Sequence, residues 1–463
     1  MESRITYPEE YKAEFLKSRD LHLSNGRVVS PEEIWDFLTR EAPEKYPFAF
    51  ERQKAFFGMT VSDDFGLPAA LKSNYLALTL SDRMEELVKN GGHVAYVQGG
   101  QAVDPYTAAG FVGLRPALIG AWARGKIKGK TTTQEELGRK EDKERGYKNI
   151  SFEACQTAGY EHIQEGDLQV DFVAPYSALR CSDISYGLEA HRHGRRVNEV
   201  SLFLGDYPMR RQAEKTWAVD YFAANLRKLV KEMDRISGRN TTEEDLRNTI
   251  KMHNKARRIS MELADIWWNA PEPPSNGMDR SDLFILGNLE VHGDPVADMD
   301  ILTEALESVR YRAQNHIRSP YIAENAKRLF VCGSCITLDN YRTEDRGGIV
   351  VGTDNAWSHA SLLVEEEGDP YYNLAKATLS YPYEQGIKER AAWTIDQVKK
   401  SRADGLLFLY NWGCNTQSAV ARAICDEVKA KTGLPTIVLE NELIGLTPEQ
   451  QHNRVAAFIE MVG

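Results

Sequence analysis

The chain has 463 residues, a net charge of −11, 42% hydrophobic and 27% charged residues, and six cysteines. This length and composition predict a globular protein of two or three domains, and the acidic balance argues against a nucleic-acid partner. With no apolar run near the roughly 20 residues of a membrane span, no apolar signal segment at the charged N-terminus and too few cysteines for a disulfide framework, we expect a cytoplasmic protein with no membrane contact.

Residues 1–90 are predicted to form an N-terminal helical region. Ser30 is placed as the N-cap of a helix with Pro31 at its first position. A second short helix is predicted over Ser81–Lys89. No residues that suggest chemistry stand out here, so we expect an arm that packs on a partner or covers a site.

Residues 91–211 are predicted to form a first α/β unit. Its apolar runs predict four strands: Val94–Val97, Pro116–Ile119, Val170–Ala174 and Val197–Leu204. Cys155 and Cys181 each lie at the start of a predicted helix. A helical segment, residues 212–326, follows. A capping run at Thr242–Asp245 starts one of its helices, which ends near Pro271, and further helices are predicted over Ser281–Leu286 and Ala297–Ala313.

Residues 327–463 are predicted to form a second α/β unit. Its predicted strands are Leu329–Val331, Ile349–Val351, Leu406–Tyr410 and Pro435–Leu439. Cys414 lies between the third of these strands and a helix over Thr416–Thr432. The predicted fold class is therefore α/β, with two four-stranded parallel-sheet units of Rossmann or flavodoxin type. A helical segment joins them, and a helical extension precedes them.

The cysteines fall into three groups by position. Cys425 lies within a predicted helix, where a cysteine is usually a small buried hydrophobe. Cys155, Cys181 and Cys414 lie at loop-to-helix junctions, where three thiolates would suit an iron–sulfur cluster with one open iron. Cys332 and Cys335 form a C-x-x-C after a strand, which leaves three interpretations open: turn thiols, a redox pair or extra metal ligands.

Four segments resemble the 2-hydroxyacyl-CoA dehydratase and benzoyl-CoA reductase family, from about His93 to the C-terminus. They are Ala403–Asn415 with its Gly-Cys-Asn end, Gly433–Thr436 with Glu440, Tyr176–Cys181 with Gly205–Pro208, and Met233–Gly238 with Glu244–Leu246. Their order and spacing carry the resemblance more than any single segment does.

The resemblance implies an α/β subunit that pairs with a homologous second subunit and carries a [4Fe–4S] cluster. Cys155, Cys181 and Cys414 match its cluster ligands. It also implies a separate ATP-hydrolysing iron–sulfur activator that supplies one low-potential electron, so that an acyl-CoA thioester becomes a ketyl radical. Dehydratases then lose the 2-hydroxyl group, whereas reductases reduce an aromatic ring. The segment Glu384–Gly386 resembles some dehydratase subunits and favours dehydration.

Two segments depart from the expected patterns. The family's Pro-x-Glu-Leu element is replaced by Val103–Thr107. The segment Gly125–Thr131 looks like a phosphate-binding loop, but Arg124 stands where that motif needs glycine, so we reject ATP binding. Its lysines could meet CoA phosphates, although a solvated loop is the favoured interpretation.

Three alternatives to a dehydratase subunit remain open from the sequence. The first is a subunit of an ATP-dependent aromatic acyl-CoA reductase. The second is a non-catalytic electron-transfer subunit whose cluster never meets substrate. The third is a two-domain ligand-binding protein without metal.

Overall fold

The computed structural model describes residues 4–52, 61–97, 102–114, 172–174, 201–202, 213–289, 291–333, 343–354, 358–382, 386–411, 415–441 and 449–462. The strands are β1 Leu21–His22, β2 Val28–Val29, β3 His93–Val97, β4 Phe111–Leu114, β5 Phe172–Ala174, β6 Ser201–Leu202, β7 Lys327–Gly333, β8 Gly348–Thr353, β9 Gly405–Asn411 and β10 Thr436–Asn441.

The helices are α1 Lys12–Phe15, α2 Pro31–Asp36, α3 Ala42–Lys45, α4 Pro68–Lys89, α5 Asp104–Ala108, α6 Thr216–Ser237, α7 Glu243–Asn269, α8 Gly277–Ile285, α9 Pro295–Gln314, α10 Pro370–Leu379, α11 Ile387–Lys400, α12 Asn415–Thr432 and α13 Glu449–Met461. Among the described residues, no helix is long and apolar enough to cross a membrane.

The N-terminal region combines short helices with a small hairpin of β1 and β2, which pair antiparallel. Ser30 caps α2 as predicted, because its side chain accepts a hydrogen bond from the Glu33 N–H. Its long helix α4 begins at Pro68, 13 residues before the predicted start. Apolar residues from this region join the same contiguous core as α7, α9 and one face of the second sheet, so the region packs within the chain.

Two four-stranded parallel sheets carry the rest of the described strands. The first has the order β4–β3–β5–β6 and the second has the order β10–β9–β7–β8. In both sheets, the second strand along the chain lies on one side of the first strand, and the third strand lies on its other side. Each sheet therefore has a point, next to its first strand, where the chain direction across the sheet reverses.

Both faces of the second sheet are buried, as expected for parallel strands. Along β7, Leu329 and Val331 face the large core that includes α8 and α13, whereas Phe330 and Cys332 face α11 and α12. This alternation follows from the two-residue period of a strand. Because both faces of β7 are buried, residues at successive positions are apolar, and the apolar run therefore predicted the strand correctly.

Helix α7 links the two halves of the molecule. Thr242 and Asp245 form a reciprocal capping box at its start, as predicted, with Asp245 N–H to Thr242 Oγ1 at 3.2 Å and Thr242 N–H to Asp245 Oδ2 at 2.8 Å. Leu246 and Ile250, in its first turns, pack in the core beneath the first sheet. Its later apolar residues pack in the core beneath the second sheet.

The predicted mixed α/β class with parallel sheets is confirmed, while the division at residues 91, 212 and 327 stays a proposal. In the first sheet, the second strand along the chain is β4, Phe111–Leu114. The predicted strand Pro116–Ile119 falls outside the described residues. Helix α10 was not predicted, although Asp369 caps it and Pro370 occupies its first turn.

Candidate functional site

The candidate site lies at the carboxyl ends of the second sheet's strands. The chain leaves β7 toward β8 and later returns to β9 on the other side of β7. The carboxyl ends of β7 and β9 therefore lie at the point where the strand order reverses, and ligands of α/β proteins commonly bind beside such a point. Four described residues at this edge define its geometry: Gly333, Asp354, Arg390 and Gln417.

Gly333 ends β7 where the neighbouring strand β9 approaches closely. Its φ is +149°, and a Cβ at this position would lie 1.7 Å from the carbonyl oxygen of Leu409. No other residue type fits there without moving a strand. The Gly333 N–H donates to Asp354 Oδ1 at 2.8 Å, which joins the ends of β7 and β8.

Arg390, on α11, ties these strand ends to the helices. Its Nε donates to Asp354 Oδ2 at 2.7 Å, and its Nη1 donates to Gln417 Oε1 at 2.7 Å. Its Nη2 lies 3.4 Å from the Gly333 carbonyl oxygen. Both charged side chains of the Arg390–Asp354 pair are almost fully buried, 2% and 0% exposed. The network therefore holds the ends of β7 and β8 against the start of α12.

Gln417 lies in the first turn of α12, three residues after Cys414. The side chain is fully buried, and its Nε2 has no hydrogen-bond partner among the described residues. A free buried donor beside a helix N-terminus favours an anionic acceptor such as a thiolate. The unpaired Nε2 donor and the N-terminus of α12 would both suit a negatively charged sulfur, such as the thiolate of a cluster-bound cysteine at position 414.

The predicted ligands themselves, Cys155, Cys181 and Cys414, lie outside the described residues, as does Cys335. Their strands are nevertheless placed: Cys181 follows β5 and Cys414 follows β9 along the chain, and each of these strands lies beside the first strand of its sheet. Within the described part of the chain, no group of three or more His, Cys, Asp or Glu side chains could hold a metal ion. The ligand set therefore stays a prediction.

Cys332 and Cys425 are buried free thiols in the helix-covered core of the second sheet. Burial raises the pKa of Cys332 well above its usual value and raises that of Cys425 to about 12. Both are therefore neutral at physiological pH and pack as small hydrophobic groups. This confirms the interpretation of Cys425 and favours the structural interpretation of Cys332.

The first sheet is joined to α7 by a buried charge cluster. Asp104, in the segment that replaces the family's Pro-x-Glu-Leu element, pairs with Arg257 Nη2 at 2.8 Å. His253 Nδ1 lies 3.2 Å from Asp104 Oδ1, and all three side chains are buried. Burial would raise the pKa of Asp104, but Arg257 and His253 outweigh it and hold that pKa well below its usual range.

Sequence reasoning did not find the Arg390 network. Arg390 stands in the charged stretch Lys388–Arg390, which looks like a solvent-exposed helix face. Only Asp354 gave a usable signal, because a carboxylate directly after a buried strand lies at the carboxyl edge of the sheet.

This fold and this edge define an α/β protein with its candidate site at the carboxyl ends of parallel strands. A family model described as 2-hydroxyglutaryl-CoA dehydratase, D-component, matches residues 169–462, which is more than half of the chain. The chain therefore belongs to this family, and the resemblance that the sequence motifs indicated is confirmed.

Curated relatives include both dehydratase and reductase subunits. A protein of Escherichia coli (strain K12) named as a dehydratase subunit, YjiM, is 25% identical over 52% of this chain and 63% of its own length. The (R)-phenyllactyl-CoA dehydratase beta subunit of Clostridium sporogenes is 19% identical over 57% of this chain and 69% of its own length. A benzoyl-CoA reductase subunit of Thauera aromatica is 23% identical over 41% of this chain and 49% of its own length. The chain thus spans less than two thirds of the first of these relatives.

Proposed function

We propose that this chain is the iron–sulfur subunit of a radical acyl-CoA enzyme, a 2-hydroxyacyl-CoA dehydratase that removes water through a ketyl radical. Membership of the family is the observation that carries the proposal. The placement of position 414 between β9 and the N-terminus of α12 supports it. Cys155, Cys181 and Cys414 would supply the thiolates for a [4Fe–4S] cluster.

The bound cluster would pass on the low-potential electron that the activator supplies and would offer an open iron that acts as a Lewis acid. The chain's own residues would hold the site in shape. Arg390 and Asp354 fix the ends of β7 and β8, so the loops that leave this edge start from a rigid base. Gln417 Nε2 would donate to a sulfur at the site, which would give this buried amide a partner.

The proposal includes two protein partners: a homologous second subunit, and a separate ATP-hydrolysing activator. The relatives that carry the proposal are themselves named as subunits. The sequence offers no fitting phosphate-binding loop, because Arg124 occupies the position of a required glycine. The ATP-dependent step is therefore assigned to another chain.

A second candidate is a subunit of an ATP-dependent benzoyl-CoA reductase, which the match to the Thauera aromatica protein favours. Turnover assays with the activator, ATP and a reductant would separate the two candidates. We expect water loss from 2-hydroxyacyl-CoA substrates and no reduction of aromatic acyl-CoA. Binding of neither acyl-CoA class would favour an electron-transfer subunit, and ring reduction would favour the reductase.

The ligand assignment is tested by iron and sulfide analysis of anaerobically purified variants. We expect Cys414→Ala to lose the cluster. Cys425→Ala and Cys332→Ala serve as matched controls, because both remove a buried thiol from the same unit. Each control should lower the free energy of unfolding by about 1–3 kcal/mol, because a packed sulfur is removed, and should keep its iron. Full iron content in Cys414→Ala, or loss of iron in either control, would contradict the assignment.

A further inference from the structure

A cavity of about 500 Å³ lies between α7, α8, α11 and the outer edge of β8. It is separate from the residues that define the carboxyl-edge site. Three half-buried aromatic side chains, Trp268, Phe284 and Trp393, contribute to its walls. Deeper in the protein it meets Phe330 and Arg280, which are 1% and 7% exposed. The cavity therefore combines an aromatic lining with one buried cation.

Arg280 has an obvious structural contact, since its Nε donates to the Val350 carbonyl oxygen at 3.0 Å and so covers the edge of β8. That bond uses only one of its five N–H groups. Its Nη2 is buried without a hydrogen-bond partner in the described part of the chain. A structural role at the strand edge thus accounts for Nε and leaves Nη2 unsatisfied.

Arg280 differs in this respect from the other buried arginines. Four arginines in the described ranges are buried and pair with carboxylates: Arg52 with Asp63 and Asp345, Arg257 with Asp104, Arg312 with Asp64, and Arg390 with Asp354. Among the same residues, no carboxylate lies within ion-pair distance of Arg280. Because a buried charge is costly unless it is paired, the missing partner points to an anion from outside the chain.

The charge balance around Arg280 agrees with this. Burial and the nearby Arg328 guanidinium lower the pKa of Arg280 to about 10, and the carboxylates of Asp282 and Glu344 raise it by less. An anion bound beside Arg280 would offset both effects. The cavity surface already supplies the apolar contacts for the rest of such a ligand.

The rim of the cavity limits how much charge the ligand can carry. Asp265 and Asp396 lie at the rim and are exposed, and Lys400 pairs with Asp396 at 2.7 Å. Asp265 accepts a hydrogen bond from Asn269 Nδ2 at 3.0 Å, but no basic side chain in the described ranges pairs with it, so its charge at the entrance is not balanced. It would repel a phosphate or polyphosphate more strongly than a single carboxylate, which carries less charge.

We propose that this cavity binds a small aromatic carboxylate, with its ring among Trp268, Phe284 and Trp393 and its carboxylate on Arg280. A planar carboxylate matches the paired N–H groups of a guanidinium, and a flat ring matches the aromatic walls. This binding requires neither a cluster nor a second subunit. It therefore stands or fails separately from the proposed acyl-CoA chemistry.

The test is calorimetric titration of the full chain with 2-naphthoate and, as a neutral isostere, 2-naphthamide. We expect saturable binding of the acid and at least tenfold weaker binding of the amide, the loss typical of one charge-assisted hydrogen bond. Arg280→Met should reduce acid binding to the level of the amide. No saturable binding of the acid, equal affinity for acid and amide, or native affinity in Arg280→Met would overturn the proposal.

A second variant keeps the test decisive if Arg280→Met does not fold, as circular dichroism would show. Asp265→Asn removes the exposed rim charge and should tighten acid binding about two- to threefold at low ionic strength, with less gain in high salt. Glu262→Gln is the matched control, because this exposed residue of α7 pairs with Arg310 and does not line the cavity. Unchanged or weaker binding in Asp265→Asn, or equal gains in both variants, would overturn the proposal.

Discussion

Removal of the Asp354 carboxylate should strongly destabilise the second sheet. In Asp354→Ala, the guanidinium of Arg390 would lose this carboxylate and keep neutral acceptors, among them Gln417 Oε1 at 2.7 Å and the Gly333 carbonyl oxygen at 3.4 Å. The Gly333 N–H would also lose its acceptor. A buried charge that loses its partner typically costs about 3–5 kcal/mol, so we expect a loss of that size in the free energy of unfolding.

Urea unfolding of the full chain, followed by tryptophan fluorescence and circular dichroism, measures this loss. Asp82→Ala is the control, because the Lys45–Asp82 pair has a similar distance, 2.6 Å against 2.7 Å, but its side chains are 43% and 52% exposed. We expect the control to cost about 0–1 kcal/mol, and less in high salt. Equal costs in the two variants would show that burial does not decide the strength of these pairs.

A double variant tests the physical cause. If the stranded Arg390 charge dominates the loss, then adding Arg390→Met to Asp354→Ala should restore part of the stability. If the two substitutions instead cost the sum of their separate effects, the reasoning from a stranded charge is wrong.

Three further predictions concern titration and capping. Burial and the nearby Asp64 carboxylate raise the pKa of Asp279 well above its usual value, so its ionisation opposes folding. Asp279→Asn should therefore raise the melting temperature at pH 8, with a gain that shrinks toward pH 4; a gain that grows in acid would contradict this. Asp104 has a lowered pKa, so its contribution is present above about pH 4 and is lost only in stronger acid. Asp104→Ala should cost about 3–5 kcal/mol at pH 7, and a urea series at several pH values should find the same cost down to pH 4. Thr242→Ala removes the capping box of α7 and should cost about 1 kcal/mol without changing iron content, as thermal unfolding and iron analysis would show.

Local sequence signals predicted much of the fold. The apolar runs located β7, β8, β9 and β10 to within a few residues, because a strand buried on both faces is apolar at nearly every position. Ser30 and Thr242 were recognised as caps from residue type and spacing alone. These features depend on neighbours close in the chain, which a single sequence contains.

The errors arose where distant partners decide burial. Lys72, Ser73 and Asn74 interrupt the apolar pattern of α4, yet all three are buried. Lys72 Nζ pairs with Glu304 at 2.7 Å, and the Asn74 side chain accepts from the Ser62 N–H at 2.8 Å. The Lys72–Glu304 pair spans 232 residues, so no local pattern could have predicted it. Arg390 and Arg280 were overlooked for the same reason, since only the folded chain shows that they are buried.

The position of α7 gives the proposed ligand set a structural consequence. This helix has 27 residues, about 40 Å at 1.5 Å per residue, and its two ends pack in different cores. In the proposed division of the chain, Cys155 and Cys181 belong to the unit at one end, and Cys414 belongs to the unit at the other. A cluster held by all three would add a second connection between units that α7 already joins. Because the free energy of metal binding would then contribute to folding, removal of the cluster would weaken the attachment of the two units to each other as well as the site itself.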